Sequence, residues 1–182
     1  MDCRFSEELL QNVIAFHGHS CPGLAIGIRA AEYALQEFKN SRLEDLVCVT
    51  ETDMCGVDGI QYLTRCTFGK GNLIHRDFGK AAFSFFDRSS GKAIRLLLRR
   101  DAKEDQNGTV PGREAMIEVL MGKSLRDLFE VFPLEKEPPR RARILSSLIC
   151  DQCKEETMES RTRRFAGETL CIPCFKKVEQ KV

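Results

Sequence analysis

The sequence predicts an α+β fold, in which a mostly antiparallel sheet packs with helices, followed by a small cysteine-rich domain. Residues 7–39 carry apolar side chains at helical spacing, whereas residues 46–99 contain short segments rich in β-branched and aromatic residues between turn signals. Residues 150–174 contain two C-x-x-C pairs in a segment too short to bury an ordinary core. Together these observations indicate one helix-and-sheet domain and one appended module.

Length and composition are typical of a folded chain outside the membrane. The 182 residues are 42% hydrophobic and carry a formal net charge of +1. The sequence has no run of about 18 apolar residues and no apolar signal-peptide segment near its start. We therefore expect a cytoplasmic protein that does not enter a membrane.

The cysteine count favours metal binding over a disulfide framework. The chain has nine cysteines, an odd number, and four of them stand in the two C-x-x-C pairs. Because no secretion signal is visible, we expect reduced thiols, and thiolates at this spacing are typical metal ligands.

Two helices are predicted near the start of the chain. Ser6, followed by two glutamates, is a plausible cap for a first helix, and Gly18 is suited to end it in the left-handed conformation. Pro22 can open a second helix that continues to Lys39. The apolar stripe and small residues of this second helix predict a central, buried position.

The middle of the chain should form the sheet. A strand is predicted over residues 46–52, a helix over 57–66 and a second strand over 73–78. Residues 82–87 and 93–99 alternate in polarity around a turn and predict an antiparallel hairpin.

The later part of this domain should be helical. Pro111 is expected to open a helix that closes at Gly122, and Ser124 can cap a short helix through Phe129. The segment after it is rich in proline and charged residues, which disfavours regular structure. We therefore expect three parts: a core domain at 1–132, a linker at 133–145 and a four-cysteine zinc module at 146–182.

The strongest single motif is in the last part of the chain. Seventeen residues separate the pair Cys150 and Cys153 from the pair Cys171 and Cys174. This spacing matches a four-thiolate zinc site of the zinc-ribbon or treble-clef type. Because so short a segment buries little apolar surface, the metal should supply its folding energy, which predicts a structural zinc.

The same module offers a weak basic patch. Arg161, Arg163 and Arg164 precede Phe165, a combination of cations and an aromatic ring that single-stranded nucleic acids can use. Four residues are a thin version of such a surface, so nucleic acid is the less favoured partner.

A second cluster of metal-binding residue types lies at 17–23. His17, His19 and Cys21 stand between two glycines just before the second helix, and Cys55 and Asp58 follow the first strand. An isolated histidine in a turn usually has a structural role, but this density favours a site. We expect His17, His19, Cys21 and Cys55 as metal ligands, and Cys21, Cys55 and Asp58 as catalytic residues if the cleft is an active site.

Other residues of these types have simpler interpretations. Cys48 and Cys66 fit buried core positions, and His75 fits the surface of the sheet. Lys70 stands between two glycines, but the surrounding residues do not match the phosphate-binding loop, so a turn is favoured there.

Four stretches jointly resemble the family of the E subunit of formylmethanofuran dehydrogenase, in the form with a C-terminal zinc-finger module. They are residues 17–27, 51–61, 67–73 and 77–80. The resemblance implies an α+β first domain that forms a homodimer and a cysteine- and histidine-lined cleft that binds metal. It also implies association with a molybdenum- or tungsten-pterin oxidoreductase of one-carbon metabolism.

Two functional hypotheses follow. The first is a metal-binding protein with a structural zinc in its module and a second metal, for which zinc is the first choice, or a small-molecule ligand in the cleft. The second is a regulatory or interaction protein whose basic zinc module contacts nucleic acid or polymerase. Whether the cleft is catalytic is left open by the sequence.

Overall fold

A computed structural model of the chain describes residues 3–179. It divides into two compact units, one ending at Arg141 and the other beginning at Ala142. The division falls within the segment 133–145 that the sequence predicts as a linker. No helix within the described residues is both long and apolar enough to cross a membrane.

The first unit contains five helices and five strands. In chain order they are α1 Glu7–His17, α2 Pro22–Glu37, β1 Leu46–Thr50, α3 Gly56–Thr64, β2 Leu73–His75, β3 Ala82–Asp87, β4 Ala93–Leu98, α4 Arg113–Gly122, α5 Leu125–Leu128 and β5 Phe129–Pro133.

The first two helices begin and end where the sequence predicts. Ser6 caps α1 by accepting a hydrogen bond from the amide of Leu9, and Gly18 ends it with φ at +97°. Cys21 caps α2 through its sulfur, which accepts a hydrogen bond from the amide of Leu24. The loop between the helices is therefore short, and it carries His19.

The strands form one sheet in the order β2-β1-β3-β4-β5. Strands β1 and β2 are parallel, and the three other pairings are antiparallel. This mostly antiparallel sheet packed with helices confirms the predicted α+β class. The helices cover one face of the sheet, where buried residues of β3 and β4 meet α2 in the main core.

One strand was not predicted. The short helix that Ser124 caps ends at Leu128, and Phe129 begins β5, which pairs with β4 along its length. The prediction of helix through Phe129 was therefore wrong at its last residue. Pairing with a neighbouring strand, a contact distant in sequence, determines the conformation there.

The residues after β5 stay with the first unit as far as Arg141. Leu134 packs against a second, smaller apolar cluster on the sheet face opposite the helices. Arg88 donates to the carbonyl oxygens of Pro139 and Arg140, and Arg141 forms an ion pair of 2.7 Å with the buried Asp45. These contacts hold the segment against the first unit.

The second unit is small and built from short elements. They are β6 Ser147–Ile149, β7 Glu156–Met158, a 3₁₀ turn at Glu159–Arg161, β8 Thr162–Phe165, β9 Glu168–Cys171 and α6 Ile172–Val178. Strands β8 and β9 form a hairpin with Gly167 at its turn, as the sequence predicts.

Candidate metal sites and the adjoining cleft

Helices α2 and α3 approach each other through glycines. A Cβ atom added to Gly27 would overlap the backbone of Gly56, and one added to Gly56 would lie 2.8 Å from the carbonyl oxygen of Gly23. Any side chain at these positions would push the helices apart. The contact brings the N-terminal ends of α2 and α3 together, and each end carries a cysteine.

Gly23 makes the same contact beside the cysteines themselves. A Cβ atom added there would lie 3.1 Å from the Cβ of Cys55 and 3.8 Å from the sulfur of Cys21. The absence of a side chain at Gly23 therefore lets Cys55 lie next to Cys21, although the two are 34 positions apart (55 minus 21).

Four side chains that the sequence predicts as metal ligands meet at this point. One nitrogen or sulfur atom from each of His17, His19, Cys21 and Cys55 lies within 4.8 Å of the other three. Nε2 of His17 is 3.9 Å from the sulfur of Cys21, and the two imidazole rings have centroids 4.5 Å apart.

Asp58 contacts this cluster through His17. Nδ1 of His17 donates a hydrogen bond of 2.7 Å to Oδ2 of Asp58, and Oδ1 of Asp58 accepts one of 3.4 Å from Gln61. With Nδ1 occupied, Nε2 is the ring nitrogen left to face Cys21. A carboxylate in this position fixes the tautomer and the orientation of a metal-binding imidazole.

The two cysteines differ in their surroundings. Cys21 is buried and accepts the amide hydrogen bond from Leu24, whereas Cys55 is half-buried and makes no cap bond at the start of α3. Burial and the neighbouring Cys21 sulfur raise the pKa of the Cys55 thiol. Metal binding at Cys55 would therefore release a proton at neutral pH.

The donor set suits a transition metal. Two imidazole nitrogens and two sulfurs match the preference of zinc, and ligands at about 2.1 and 2.3 Å in a tetrahedral array are about 3.6 Å apart. The 3.9 Å between His17 and Cys21 requires only a small closure to reach that spacing.

A cleft of about 400 Å³ adjoins the cluster. Strands β1 and β2 run parallel, so Thr50 and His75 lie side by side at their ends, next to the start of α3. His17, Cys55 and Asp58 form one wall of the cleft. Its other lining residues include Thr52, Asp53, Gln61, Phe68 and His75.

His75 was assigned to the sheet surface, where the structure places it, but it also lines this cleft. The parallel pairing of β1 and β2 carries the signal that was missed, because ligand sites form beside the carboxyl ends of parallel strands. By contrast, the buried positions of Cys48 and Cys66 confirm the predicted core roles. The Cys66 thiol donates to the carbonyl oxygen of Leu46.

The second unit holds the other cluster of ligands. The sulfur atoms of Cys150, Cys153, Cys171 and Cys174 all lie within 4.8 Å of one another. Those of Cys153 and Cys171 are 3.8 Å apart, the spacing of about 3.8 Å that a tetrahedral zinc thiolate site has. Hydrogen bonds from backbone amides, that of Cys171 first, lower the pKa of Cys150 to about 6 and favour its thiolate.

The arginines of this unit are exposed on and beside β8. Phe165 is 38% exposed, and its ring makes an edge-on contact with Phe175 at 5.8 Å between centroids. Phe165 therefore packs within the module.

The fold and sites define a two-part class of protein: an α+β domain with a histidine–cysteine cluster, joined to a four-cysteine zinc finger. The family model described as "FmdE, Molybdenum formylmethanofuran dehydrogenase operon" matches residues 16–130. A second model, the prokaryotic dksA/traR C4-type zinc finger, matches residues 143–180. The chain belongs to the FmdE family and carries a C-terminal zinc finger.

A curated relative agrees with this assignment. A probable S-adenosyl-L-methionine-binding protein from Archaeoglobus fulgidus is 28% identical over 194 residues, which cover 91% of this chain and 52% of that protein. The chain thus spans about half the length of this curated relative.

A solved structure shows the same fold. The tungsten formylmethanofuran dehydrogenase FmdE-like protein from Syntrophus aciditrophicus superposes with a TM-score of 0.64 at 23% identity. The superposition covers 94% of this chain and 92% of that one.

Proposed function

We propose that the first unit is a metal-binding unit in which His17, His19, Cys21 and Cys55 hold a transition metal beside a small-ligand cleft. The observation that carries this proposal is the convergence of the four ligand atoms within 4.8 Å. Zinc is the metal that this donor set fits best.

Asp58 acts in this proposal as a positioning residue. Its two carboxylate oxygens accept hydrogen bonds from His17 and Gln61. Both oxygens are therefore occupied, and a role in orienting His17 fits better than a role as general base. Cys21 and Cys55 serve as ligands, so the catalytic assignment from the sequence becomes a ligand-and-support assignment.

His19 is the ligand best placed to exchange with a molecule in the cleft. It lies in the loop between α1 and α2, it is exposed, and no hydrogen bond holds its ring among the described residues. A metal that also acts on a small molecule keeps one such replaceable position. Whether a reaction follows binding is a question for the loaded protein.

The cleft suits a neutral or cationic ligand. Asp53 and Asp58 give it negative charge, and its volume of about 400 Å³ falls within the range of small-molecule sites. The name of the Archaeoglobus relative makes S-adenosyl-L-methionine the first compound to test. Its sulfonium and ammonium groups are cations, so Asp53→Asn should weaken its binding, measured by calorimetry, more than Asp127→Asn does. Equal loss in both variants argues against this ligand.

X-ray absorption at the zinc edge tests the metal assignment directly. If both sites fill, the average environment is three sulfurs and one nitrogen, because one site has four sulfurs and the other two of each. Removal of the cleft metal by Cys21→Ser should leave a sulfur-only spectrum. A sulfur-only spectrum for the unmodified chain would overturn the assignment.

We also propose that the chain is an accessory subunit, working as a homodimer in the cytoplasm with a pterin-dependent oxidoreductase of one-carbon metabolism. Support comes from the family membership and from the name of the Syntrophus protein. Affinity capture from the native source should recover a molybdenum or tungsten enzyme. Recovery of this chain alone would contradict a stable complex.

A contact between the zinc finger and nucleic acid or polymerase is the second candidate. The exposed Arg161, Arg163 and Arg164 and the match to the dksA/traR finger favour it. Binding to single-stranded nucleic acid should fall steeply with salt and weaken when the three arginines become glutamine. Failure to bind at low salt removes the nucleic-acid form of this function.

A further inference from the structure

The sheet face opposite the helices carries a separate cleft of about 500 Å³. Its floor lies in the row where Val49, Ser84 and Arg95 stand side by side on β1, β3 and β4. One wall comes from the residues after β2, and the other from the segment after β5. The histidine–cysteine cluster contributes no residue to it.

The floor combines apolar surface with unused hydrogen-bond donors. Val49 and Phe86 are buried apolar residues that line the cleft. Ser84 is 6% exposed, yet within residues 3–179 its hydroxyl makes no hydrogen bond. A largely buried hydroxyl without a protein partner favours a ligand that can bind it.

Arg95 adds a fixed charge at the same place. Its Nε and one terminal nitrogen donate to the two oxygens of Glu51 at 2.6 and 2.8 Å. The other terminal nitrogen makes no hydrogen bond to any described residue. The pair with Glu51 holds the guanidinium in position, and a fixed guanidinium is a good partner for an anion.

The rim of the cleft is basic. Arg76, Lys80 and Lys136 line it, are exposed, and have no ion-pair partner in the described part of the chain. Glu137 is the single anion on the rim, so the unpaired rim charges sum to +2 (three cations minus one anion). The side chain of Phe78, 58% exposed, adds apolar surface beside them.

We propose that this cleft binds a small organic anion, whose carboxylate or phosphate meets Arg76, Lys80 and Ser84 while its apolar body covers Val49 and Phe86. Positive charge at the rim supplies attraction for the anion, and the partly buried Arg95 supplies orientation. The apolar floor selects molecules larger than a bare inorganic ion.

Calorimetry on the full chain with 1-naphthyl phosphate and 1-naphthoate as probes tests this site. Both probes should bind once per chain, and whichever binds more tightly identifies the head group. Neutral 1-naphthol and inorganic phosphate should each bind about tenfold more weakly or less, because each lacks one half of the recognition.

Variants separate this cleft from general charge effects. Arg76→Gln with Lys80→Gln should weaken probe binding about tenfold, and Ser84→Ala should weaken it several-fold. The matched control, Arg100→Gln with Lys103→Gln, removes two exposed cations outside the cleft and should change binding less than about twofold. Cys21→Ser should leave binding unchanged, which keeps this site distinct from the metal cluster.

Absence of probe binding at millimolar concentration would overturn the proposal. Equal loss in the cleft and control variants would do so as well, because it indicates unspecific attraction. A dimer that excludes the probes and separates in the Arg76→Gln, Lys80→Gln variant would show that a second copy covers this face, which also contradicts a small-anion site.

Discussion

Nδ1 of His17 lies 2.7 Å from Oδ2 of Asp58, a contact across 41 positions of sequence. The His17 side chain is 9% exposed and that of Asp58 is 39% exposed, so the pair lies at the edge between core and cleft. The contact joins the end of α1 to the first turn of α3 and leaves Nε2 of His17 directed at the cysteines.

Replacing Asp58 should therefore weaken metal binding without removing a ligand. We expect Asp58→Ala to lower the affinity of the cleft for zinc about 10- to 100-fold, the usual effect of losing a carboxylate that orients a ligating histidine. Asp58→Asn should have a smaller effect, because its amide oxygen can still accept the Nδ1 proton. Competition with a chelator measures both. Asp53→Ala, a carboxylate in the same cleft, is the control, and equal losses in Asp53→Ala and Asp58→Ala would contradict the assigned role.

The glycine contact between α2 and α3 makes a prediction about stability. Gly27→Ala places a Cβ against the backbone of Gly56, which cannot rotate away, so the free energy of unfolding should fall by about 3 kcal/mol. The zinc affinity of the cleft should fall as well, because the helix ends move apart.

Gly122→Ala is the matched control for that variant. Gly122 ends α4, and a Cβ there would meet nothing within 4 Å, so alanine should be neutral or stabilise the helix by up to about 1 kcal/mol. Urea unfolding followed by circular dichroism compares the two. If both variants are equally stable, close glycine packing is not required.

The Glu51–Arg95 pair should make stability depend on pH. The hydrogen bonds from Arg95 lower the pKa of Glu51 below its ordinary value of about 4.5. A carboxyl group with a lowered pKa adds stability above its ordinary pKa, and this contribution disappears as the pH falls through the folded value. Glu51→Gln should therefore be less stable than the unmodified chain at neutral pH, and the difference should shrink below about pH 4.5.

Unfolding midpoints measured across that pH range test this. Glu135→Gln changes an exposed carboxylate that forms no ion pair within the described residues, and it should follow the unmodified chain. A stability gap for Glu51→Gln that does not change with pH would contradict the pairing.

The zinc finger should depend on its metal for folding. Its buried cluster consists of Leu170 and three of the four cysteines, with Phe175 and Val178 packed against them. So little apolar burial cannot offset the entropy of ordering the segment. In Cys174→Ser, amide hydrogen exchange should accelerate throughout residues 147–178 and stay unchanged in residues 7–133. Protection that persists in the finger, as in the control Cys3→Ser, would show that it folds without zinc.

Local signals in the sequence were sufficient for the helices and for the zinc finger. Ser6 and Gly18 determine the ends of α1 through hydrogen bonding and backbone conformation, which depend on few neighbours. The two C-x-x-C pairs predict a zinc finger for a similar reason, because each short pair is already spaced to bind one metal.

Features that depend on distant contacts were not predicted. Strand β5 exists because β4 offers it an edge, and His75 reaches the cleft because β1 and β2 are parallel. The sequence placed Asp58 near the site but not its hydrogen bond to His17, since that contact requires the glycine-mediated approach of α2 and α3. Each of these depends on pairing between segments, which residue spacing does not specify.

The most direct test of the cleft assignment is the number of metal ions per chain in the purified protein. Elemental analysis should find two, and Cys21→Ser and Cys150→Ser should each lose one, whereas Cys3→Ser, a thiol outside both clusters, should keep both. One metal ion per chain that is lost in Cys150→Ser and unaffected by Cys21→Ser would contradict a metal site at His17, His19, Cys21 and Cys55.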